Sequence, residues 1–399
     1  MIHRIKITDF KSIEHVELEL DAVTVLIGRS GNGKSNLVQA IRFLRNLLLN
    51  QEQAVLHEGG WLRIMPVGKE NPRPSIEVSF TVPGEVESYN YRFVFGLSGM
   101  RNLPIQNRML LMEEHLTLGE EEIFSRVRDK NFQWEWNKAP NVSQGPPKVD
   151  SLALGAFPSL QQVIFANAAL STGIGYYHFP STALTQVTSQ QFNQSPNLPQ
   201  HIPGLADDAN NYRSVIRGIT QDFHHPNVRK NILASLKAVS ASIESVELDS
   251  IVAPQQVIIG HKAGDRIFAL SLEQESDGLR RFYAHLLALY QTPSKLTLVF
   301  EEPENAIFPG ALSLLADEFK AAPRENRGQV ILTTHNPTLL DSFDVENVRT
   351  VEMRDGKTVV GRVCQEQRQA VKDRLLSTGG LLTEDTARLE DDPELQPLK

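Results

Sequence analysis

The run Gly28-Arg29-Ser30-Gly31-Asn32-Gly33-Lys34-Ser35 restricts this chain more than any other feature. It fits the pattern G-x-x-x-x-G-K-[ST]. It also lies between an apolar run, Ala22 to Ile27, and an amphipathic run, Asn36 to Leu44, that keeps Leu37, Ile41 and Leu44 on one helical face. Strand, glycine loop and helix together form the setting in which backbone N–H groups curl around phosphate oxygens. Lys34 then supplies a point charge, and the Ser35 hydroxyl is placed to ligate Mg²⁺. The helix aims its positive end at the same anion. A glycine-rich loop of another kind would need neither flank, so a nucleotide site is the expectation.

With 399 residues, 41% of them hydrophobic, the chain can bury a large core as one composite domain or two. The formal net charge of −8 argues against a protein that coats nucleic acid through general basicity. A local basic patch would not show in that total, so nucleic acid stays open as a partner. The single cysteine, Cys364, fits a reducing compartment and rules out thiolate metal sites. Met1 to Lys6 lacks the layout of a secretion signal, and no apolar stretch has the length of a bilayer span. A soluble cytoplasmic chain with no membrane partner is expected.

Ile5 and Ile7, then Val16, Leu18 and Leu20, alternate with polar residues and predict an opening pair of strands. Further alternating runs at Ser75 to Val82, Tyr89 to Leu97, Glu122 to Arg128 and Asn131 to Trp136 predict an antiparallel sheet. The stretch from Ala139 to His201 is rich in Pro, Ser, Gln and Asn and reads as a long insertion. Helical character returns from Ala206 to Lys237, broken at Pro226, and strands resume at Ser245 to Leu248, Gln256 to Ile259 and Arg266 to Leu270. The expected domains are a composite of residues 1–138 and 240–376, a helical and loop insertion at 139–239, and an acidic tail at 377–399 that is poorly ordered or ordered by a partner. Heptads are not sustained, which argues against a long coiled-coil arm.

Leu296 to Phe300 is a short apolar run ending in Glu301-Glu302-Pro303-Glu304-Asn305, which places carboxylates at the carboxyl end of a buried strand. Ligands bind at that edge in α/β sheets. Glu301 is assigned to Mg²⁺ and Glu302 to the attacking water; an acidic helix start before Pro303 is the competing explanation. Gln329 to His335 is a second buried strand with polar residues at its end, one helix later, so His335 shares the sheet edge and could meet a γ-phosphate. Glu275 to Arg281 opens an apolar-periodic helix. Ser276 there is either a plain N-cap or part of an anion clamp.

Taken in order, these motifs resemble the ATP-binding-cassette class of ATPases, in the soluble branch with the chromosome-maintenance, recombination-repair and overcoming-lysogenization-defect proteins. Ile5 to Ile13 is similar to that branch's first strand, Gly28 to Ser35 to its Walker A motif, and Leu298 to Glu302 to its Walker B strand. Glu275 to Arg280 is similar to its signature and His335 to its switch histidine. Within the branch the chain looks most like compact ATPases without a coiled-coil arm, many of which resemble ATPase components of bacterial anti-phage defence systems.

The resemblance implies an α/β P-loop NTPase of ABC-ATPase type, with a mixed central sheet, an added antiparallel β-subdomain and a helical insertion. ATP would be held by Lys11, Ser12, Gly28, Ser30, Gly31, Asn32, Gly33, Lys34, Ser35 and Asn36, with Ser276 and Gly278 contributed by a neighbouring copy. Ser35 and Glu301 would hold Mg²⁺, and Glu302, His335 and Lys34 would act in hydrolysis. A homodimer or higher homo-oligomer is implied, together with a separate nuclease-like effector in phage defence or DNA repair. Three departures stand out: Glu301 where aspartate is usual, Asp277 where transporters carry glycine, and no histidine before Pro309. Glu301 keeps a second reading open, an ATP-stabilised scaffold with little turnover that sequesters and releases an effector. No glutamine is clearly the lid; Gln161 and Gln162 are the candidates.

Two weaker signals remain. Trp134 and Trp136, near Arg126, Arg128 and Lys130, could stack on bases or simply pack. His224-His225 has no acidic or thiolate companions at ligand spacing and reads as a helix end.

Overall fold

A computed structural model describes residues 1–98, 109–138, 151–155, 157, 160–185, 204–221, 227–248 and 256–390. His224, His225, about half of the 139–201 insertion and residues 391–399 of the acidic tail lie outside the described residues. The chain divides into two compact units, one of Met1–Ile174, Val345–Leu376 and Glu384–Lys399, the other of Gly175–Asp344 and Ser377–Thr383.

The first unit opens with β1 (Ile2–Phe10) and β2 (Ile13–Glu19), paired antiparallel so that Ile5 faces Leu18 and Ile7 faces Val16. Those apolar residues are buried while Glu17 and Glu19 are exposed, the alternation expected for a half-buried strand. The fully buried β3 (Val23–Ile27) leads into the glycine loop and α1 (Lys34–Leu49), followed by α2 (Gln51–His57) and α3 (Trp61–Ile64). Then come β4 (Ser75–Phe80), β5 (Tyr89–Leu97), β6 (Met109–Leu118), β7 (Glu121–Arg128) and β8 (Trp134–Lys138). They complete an antiparallel sheet of order β2-β1-β4-β5-β6-β7-β8. Alternation in the sequence had predicted all of these strands except β6. α4 (Gln161–Leu170) starts with Gln161 and Gln162.

The Trp134 and Trp136 rings pack within this sheet. The Arg126 guanidinium lies 4.1 Å from the Trp134 ring centre and 5.5 Å from that of Trp136, and Arg128 lies 4.5 Å from Trp134. Trp136 meets Phe124 and Phe157 edge-on. Arg126 is itself fully buried against Glu114, so the packing of these rings is seen directly.

The second unit begins with β9 (Ile174–Tyr177), then α5 (Tyr212–Gln221), α6 (Asn227–Val239) and an antiparallel sheet of β10 (Ile243–Leu248), β11 (Val257–Ala263) and β12 (Arg266–Ser271). It continues with α7 (Asp277–Tyr290), β13 (Thr297–Glu301), α8 (Pro309–Arg324), β14 (Gln329–Thr333) and α9 (Pro337–Leu340). β13 and β14 run parallel, with Glu301 opposite Thr333, and β9 flanks β13. Both parallel strands are buried on two sides, which is why they read as unbroken apolar runs.

The chain then supplies β15 (Val348–Arg354), β16 (Lys357–Arg362) and α10 (Gln365–Lys372) to the first unit. β15 is parallel to β3 and antiparallel to β16, so the pairing is mixed. The expectation of a poorly ordered tail fails for residues 377–390. α11 (Gly380–Thr383) buries Leu381, and Leu389 bridges to Val363. The reason is apolar content: Leu381, Ala387 and Leu389 are buried despite the acidic neighbours that dominated the composition. No described helix exceeds 16 residues, and none is long and apolar enough to cross a membrane.

Candidate functional site

The loop after β3 is shaped by two glycines that allow no side chain. Gly28 has φ +145°, and a Cβ there would sit 2.2 Å from the Val351 carbonyl oxygen. Gly33 has φ +96°, and its Cβ would sit 2.0 Å from Thr358 Oγ1. β15 and β16 therefore press directly on the loop, which explains why glycine stands at these positions. Gly31 and Ser30 are exposed at the tip. Asn32 Nδ2 donates to the Val351 carbonyl at 2.9 Å, and Thr358 Oγ1 bonds to the Asn32 carbonyl at 3.2 Å and to Ser12 Oγ at 2.6 Å. Asn36 Nδ2 donates to the same Ser12 hydroxyl at 2.7 Å. Ser12, Asn32 and Asn36, far apart in the predicted set, thus form one network.

The Lys34 ammonium folds back into the loop, donating to the carbonyls of Gly28 at 2.7 Å and Arg29 at 3.1 Å. Ser35 is exposed on the first turn of α1. That helix has neither a side-chain cap nor an acidic residue in its first turn, so its positive end is left for an anion. Lys11 lies apart from this network among polar partners of its own. Its ammonium bonds to Gln39 Oε1 and Glu58 Oε2, both at 2.6 Å, and Glu58 also takes the Arg42 guanidinium at 2.6 Å.

In the second unit the acidic strand end is equally specific. Glu301 is the last residue of β13, and its Oε2 accepts from the Tyr176 hydroxyl. Glu302 has φ +47°, a left-handed conformation uncommon for a residue with a side chain. Its N–H is held by the Thr333 carbonyl at 3.2 Å and Thr333 Oγ1 at 3.1 Å. Strain of this kind persists only where the surroundings impose it, and it clusters at functional sites. His335 Nε2 lies 3.7 Å from Glu302 Oε1, and both side chains are about one-third exposed. Asn305 Nδ2 donates to Glu302 Oε2 at 3.0 Å.

Glu304 was not among the predicted residues, yet it ties the two strand ends together. Its Oε1 accepts from Thr334 Oγ1 at 2.8 Å and from the His335 N–H at 2.9 Å. Burial raises its carboxyl above the usual range, the Glu302 charge adds to the rise, and the His335 and Thr334 bonds oppose it. The other histidine of this region, His285, is sealed among Phe179, Phe300 and Phe319. Burial pushes it down to about 3, leaving a neutral packing residue.

Ser276 caps α7, its hydroxyl accepting from the Leu279 N–H at 3.3 Å. A Cβ on Gly278 would lie 2.8 Å from the Ala306 carbonyl oxygen, so the start of α7 abuts the loop that follows Glu302. Within this unit the structure therefore brings Gly278 against the loop that follows Glu302, with Ser276 capping the same helix. Among the described residues no cluster of three or more His, Cys, Asp or Glu side chains could cage a metal by itself.

Comparison with known proteins agrees with this architecture. Residues 1–142 match the family model described as "AAA ATPase domain", and residues 167–341 match the one described as "AAA domain, putative AbiEii toxin, Type IV TA system". Among solved structures the chain is similar to an SMC head bound to the C-winged helix domain of ScpA, at 14% identity and a TM-score of 0.52, covering 92% of this chain and 99% of that one. It is also similar to the Smc head with an extended coiled coil, bound to the C-terminal domain of ScpA from Pyrococcus furiosus, at 15% identity and a TM-score of 0.51, covering 94% and 99%. The fold is that of the SMC heads. Each half of the chain thus matches a different AAA-type ATPase family model, and the whole shares its fold with SMC heads.

Proposed function

We propose that this chain binds ATP with Mg²⁺ and hydrolyses it, and that the bound nucleotide joins two copies head to tail to control a partner protein. The observation that carries this reading is the strained Glu302, held by Thr333 and faced by His335 at 3.7 Å. Such a carboxylate is suited to orienting a water or taking its proton. Phosphates would be bound by the N–H groups of Gly28 to Ser35 and the Lys34 ammonium. Ser35 and Glu301 would hold Mg²⁺, which when bound neutralises charge on the phosphate oxygens. His335 would contact the γ-phosphate, with its backbone fixed by Glu304. Ser276 and Gly278 would complete the site of the neighbouring copy.

Complementation tests the head-to-tail arrangement. Lys34→Ala spoils the site of its own subunit, and Ser276→Arg spoils the site of its neighbour. Each variant alone is predicted to be inactive, while a mixture forms heterodimers holding one intact site and regains part of the wild-type turnover. No recovery in a mixture shown to contain heterodimers contradicts the shared site.

The resemblance to defence ATPases and the match of residues 167–341 to a toxin–antitoxin AAA domain support phage defence, with DNA repair as the neighbouring reading, and a separate nuclease-like effector as the partner. A second reading, the ATP-stabilised scaffold with little turnover, is favoured by Glu301, whose carboxylate is one methylene longer than the usual aspartate and is bonded to Tyr176. Turnover and molecular mass measured on the same sample separate the two. A stable assembly with negligible hydrolysis supports the scaffold, and a cycling dimer supports the enzyme.

A further inference from the structure

The second unit holds a cavity of about 370 Å³ that the nucleotide chemistry does not use. Its walls are Ile216 and Ile219 of α5, Leu233 of α6, Val246 of β10, and Tyr283 and Leu287 of α7. The volume falls at the small end of the range for ligand pockets. Apolar side chains make up the larger part of the lining, and its polar members are Thr220, Ser245, Tyr283 and the charged residues Arg229, Lys230 and Glu247. Tyr283 is only 3% exposed, and none of the hydrogen bonds among the described residues involves its hydroxyl. The hydroxyl is not sealed from the cavity, so an acceptor that enters meets a donor no described residue has taken. At the mouth stand Arg229 and Lys230, both exposed, with the Glu247 carboxylate also on the rim. Among the described residues Arg229 makes one long contact, 3.5 Å, to the Val246 carbonyl. Burial pushes the Tyr283 phenol up, and the nearby Arg229 charge opposes that rise, so the cation and the hydroxyl act on the same space.

The geometry points to a binding site for a small amphipathic carboxylic acid, its apolar body between α5, α6 and α7 and its carboxylate on the Tyr283 hydroxyl and the Arg229 guanidinium. An apolar body alone would not need the phenol, and a polar metabolite would not fill the aliphatic walls. The carboxylate is preferred over a cationic head because two cations face one anion at the rim. The inference is independent of ATP hydrolysis and is read by binding alone.

Isothermal titration calorimetry on the full chain tests it, with octanoate and decanoate as probes and octanol as the neutral control. The expected result is one saturable site per chain for the acids and weaker binding of octanol. Tyr283→Phe, which keeps the ring and the packing, is expected to weaken acid binding about tenfold, the worth of one hydrogen bond to a charged group. Leu233→Trp fills the cavity and is expected to abolish binding while circular dichroism stays unchanged. Should Leu233→Trp not fold, Tyr283→Phe and Arg229→Ala decide alone. The proposal is overturned if neither acid gives saturable heat with folded wild-type protein, if octanol binds as tightly as octanoate, or if acid binding is indifferent to Tyr283→Phe and Arg229→Ala.

Discussion

Replacing Gly33 with alanine tests whether the β16 side of the loop is built as described. The backbone there has φ +96°, and holding a residue with a Cβ in the left-handed region costs about 1–2 kcal/mol. The added Cβ would lie 2.0 Å from Thr358 Oγ1 and 2.9 Å from its Cγ2, so Thr358 must move. Moving it breaks the bonds to Ser12 Oγ at 2.6 Å and the Asn32 carbonyl at 3.2 Å, each worth about 0.5–1.5 kcal/mol net. Gly33→Ala is therefore expected to cost about 2–5 kcal/mol. Thr358→Ala, which loses only the two bonds, should cost about 1–3 kcal/mol. In the double variant those bonds are lost once rather than twice, so Thr358→Ala costs little on the Gly33→Ala background. Urea unfolding followed by circular dichroism for the four proteins gives the coupling. Additivity within about 0.5 kcal/mol would mean that the two residues do not meet, and the buttressed loop would be wrong.

Other outcomes follow from the same geometry. Burial pushes the Glu58 carboxyl up, but Lys11 and Arg42 together outweigh it and hold it below its ordinary value of 4.5. Its stabilisation is complete above that ordinary value and is lost as pH falls through the lower folded value. Glu58→Gln is thus expected to flatten the acid side of a stability profile taken by urea titration at stepped pH, and an unchanged slope would refute the pairing. Lys34→Ala removes a charged donor and should weaken binding of a fluorescent ATP analogue by roughly tenfold to a hundredfold. Glu304→Ala releases the Thr334 hydroxyl and the His335 N–H; it is expected to lower kcat with little change in KM, while Glu304→Gln, which keeps an acceptor for both, retains most turnover. Equal losses in the two Glu304 variants would show that the tie to His335 does not matter.

The parts visible from the sequence are those in which chemistry and neighbours are contiguous. Gly28 to Ser35 announces itself because the strand, loop and helix are consecutive, and the two clashes at Gly28 and Gly33 explain the spacing afterwards. β13 and β14 are visible because strands buried on both faces leave uninterrupted apolar runs. β6 was missed because Glu113, Glu114 and His115 interrupt its alternation, and Glu114 is fully buried on the Arg126 guanidinium, the Tyr91 hydroxyl and two backbone N–H groups. An ion pair inside a sheet looks polar in any one-dimensional pattern.

The same limit applies to the site. Glu304 looked like one more acid in an acidic turn until its contacts with Thr334 and His335 were seen, 30 and 31 residues away. Tyr176 reaches Glu301 across 125 residues, and Lys11 is drawn to Glu58 across 47. No local spacing encodes such pairs. The φ of +47° at Glu302 is likewise a consequence of tertiary bonding to Thr333, not of anything in Glu301-Glu302-Pro303 itself.

The central claim is that Glu302 drives the chemical step on a nucleotide held elsewhere by the glycine loop. Its most direct test is a single-turnover measurement, in which excess protein is mixed with radiolabelled ATP and Mg²⁺ and bound ATP and released phosphate are followed together. Glu302→Gln is predicted to bind ATP as wild type does and to release almost no phosphate. Phosphate release at the wild-type rate from that variant would contradict the account.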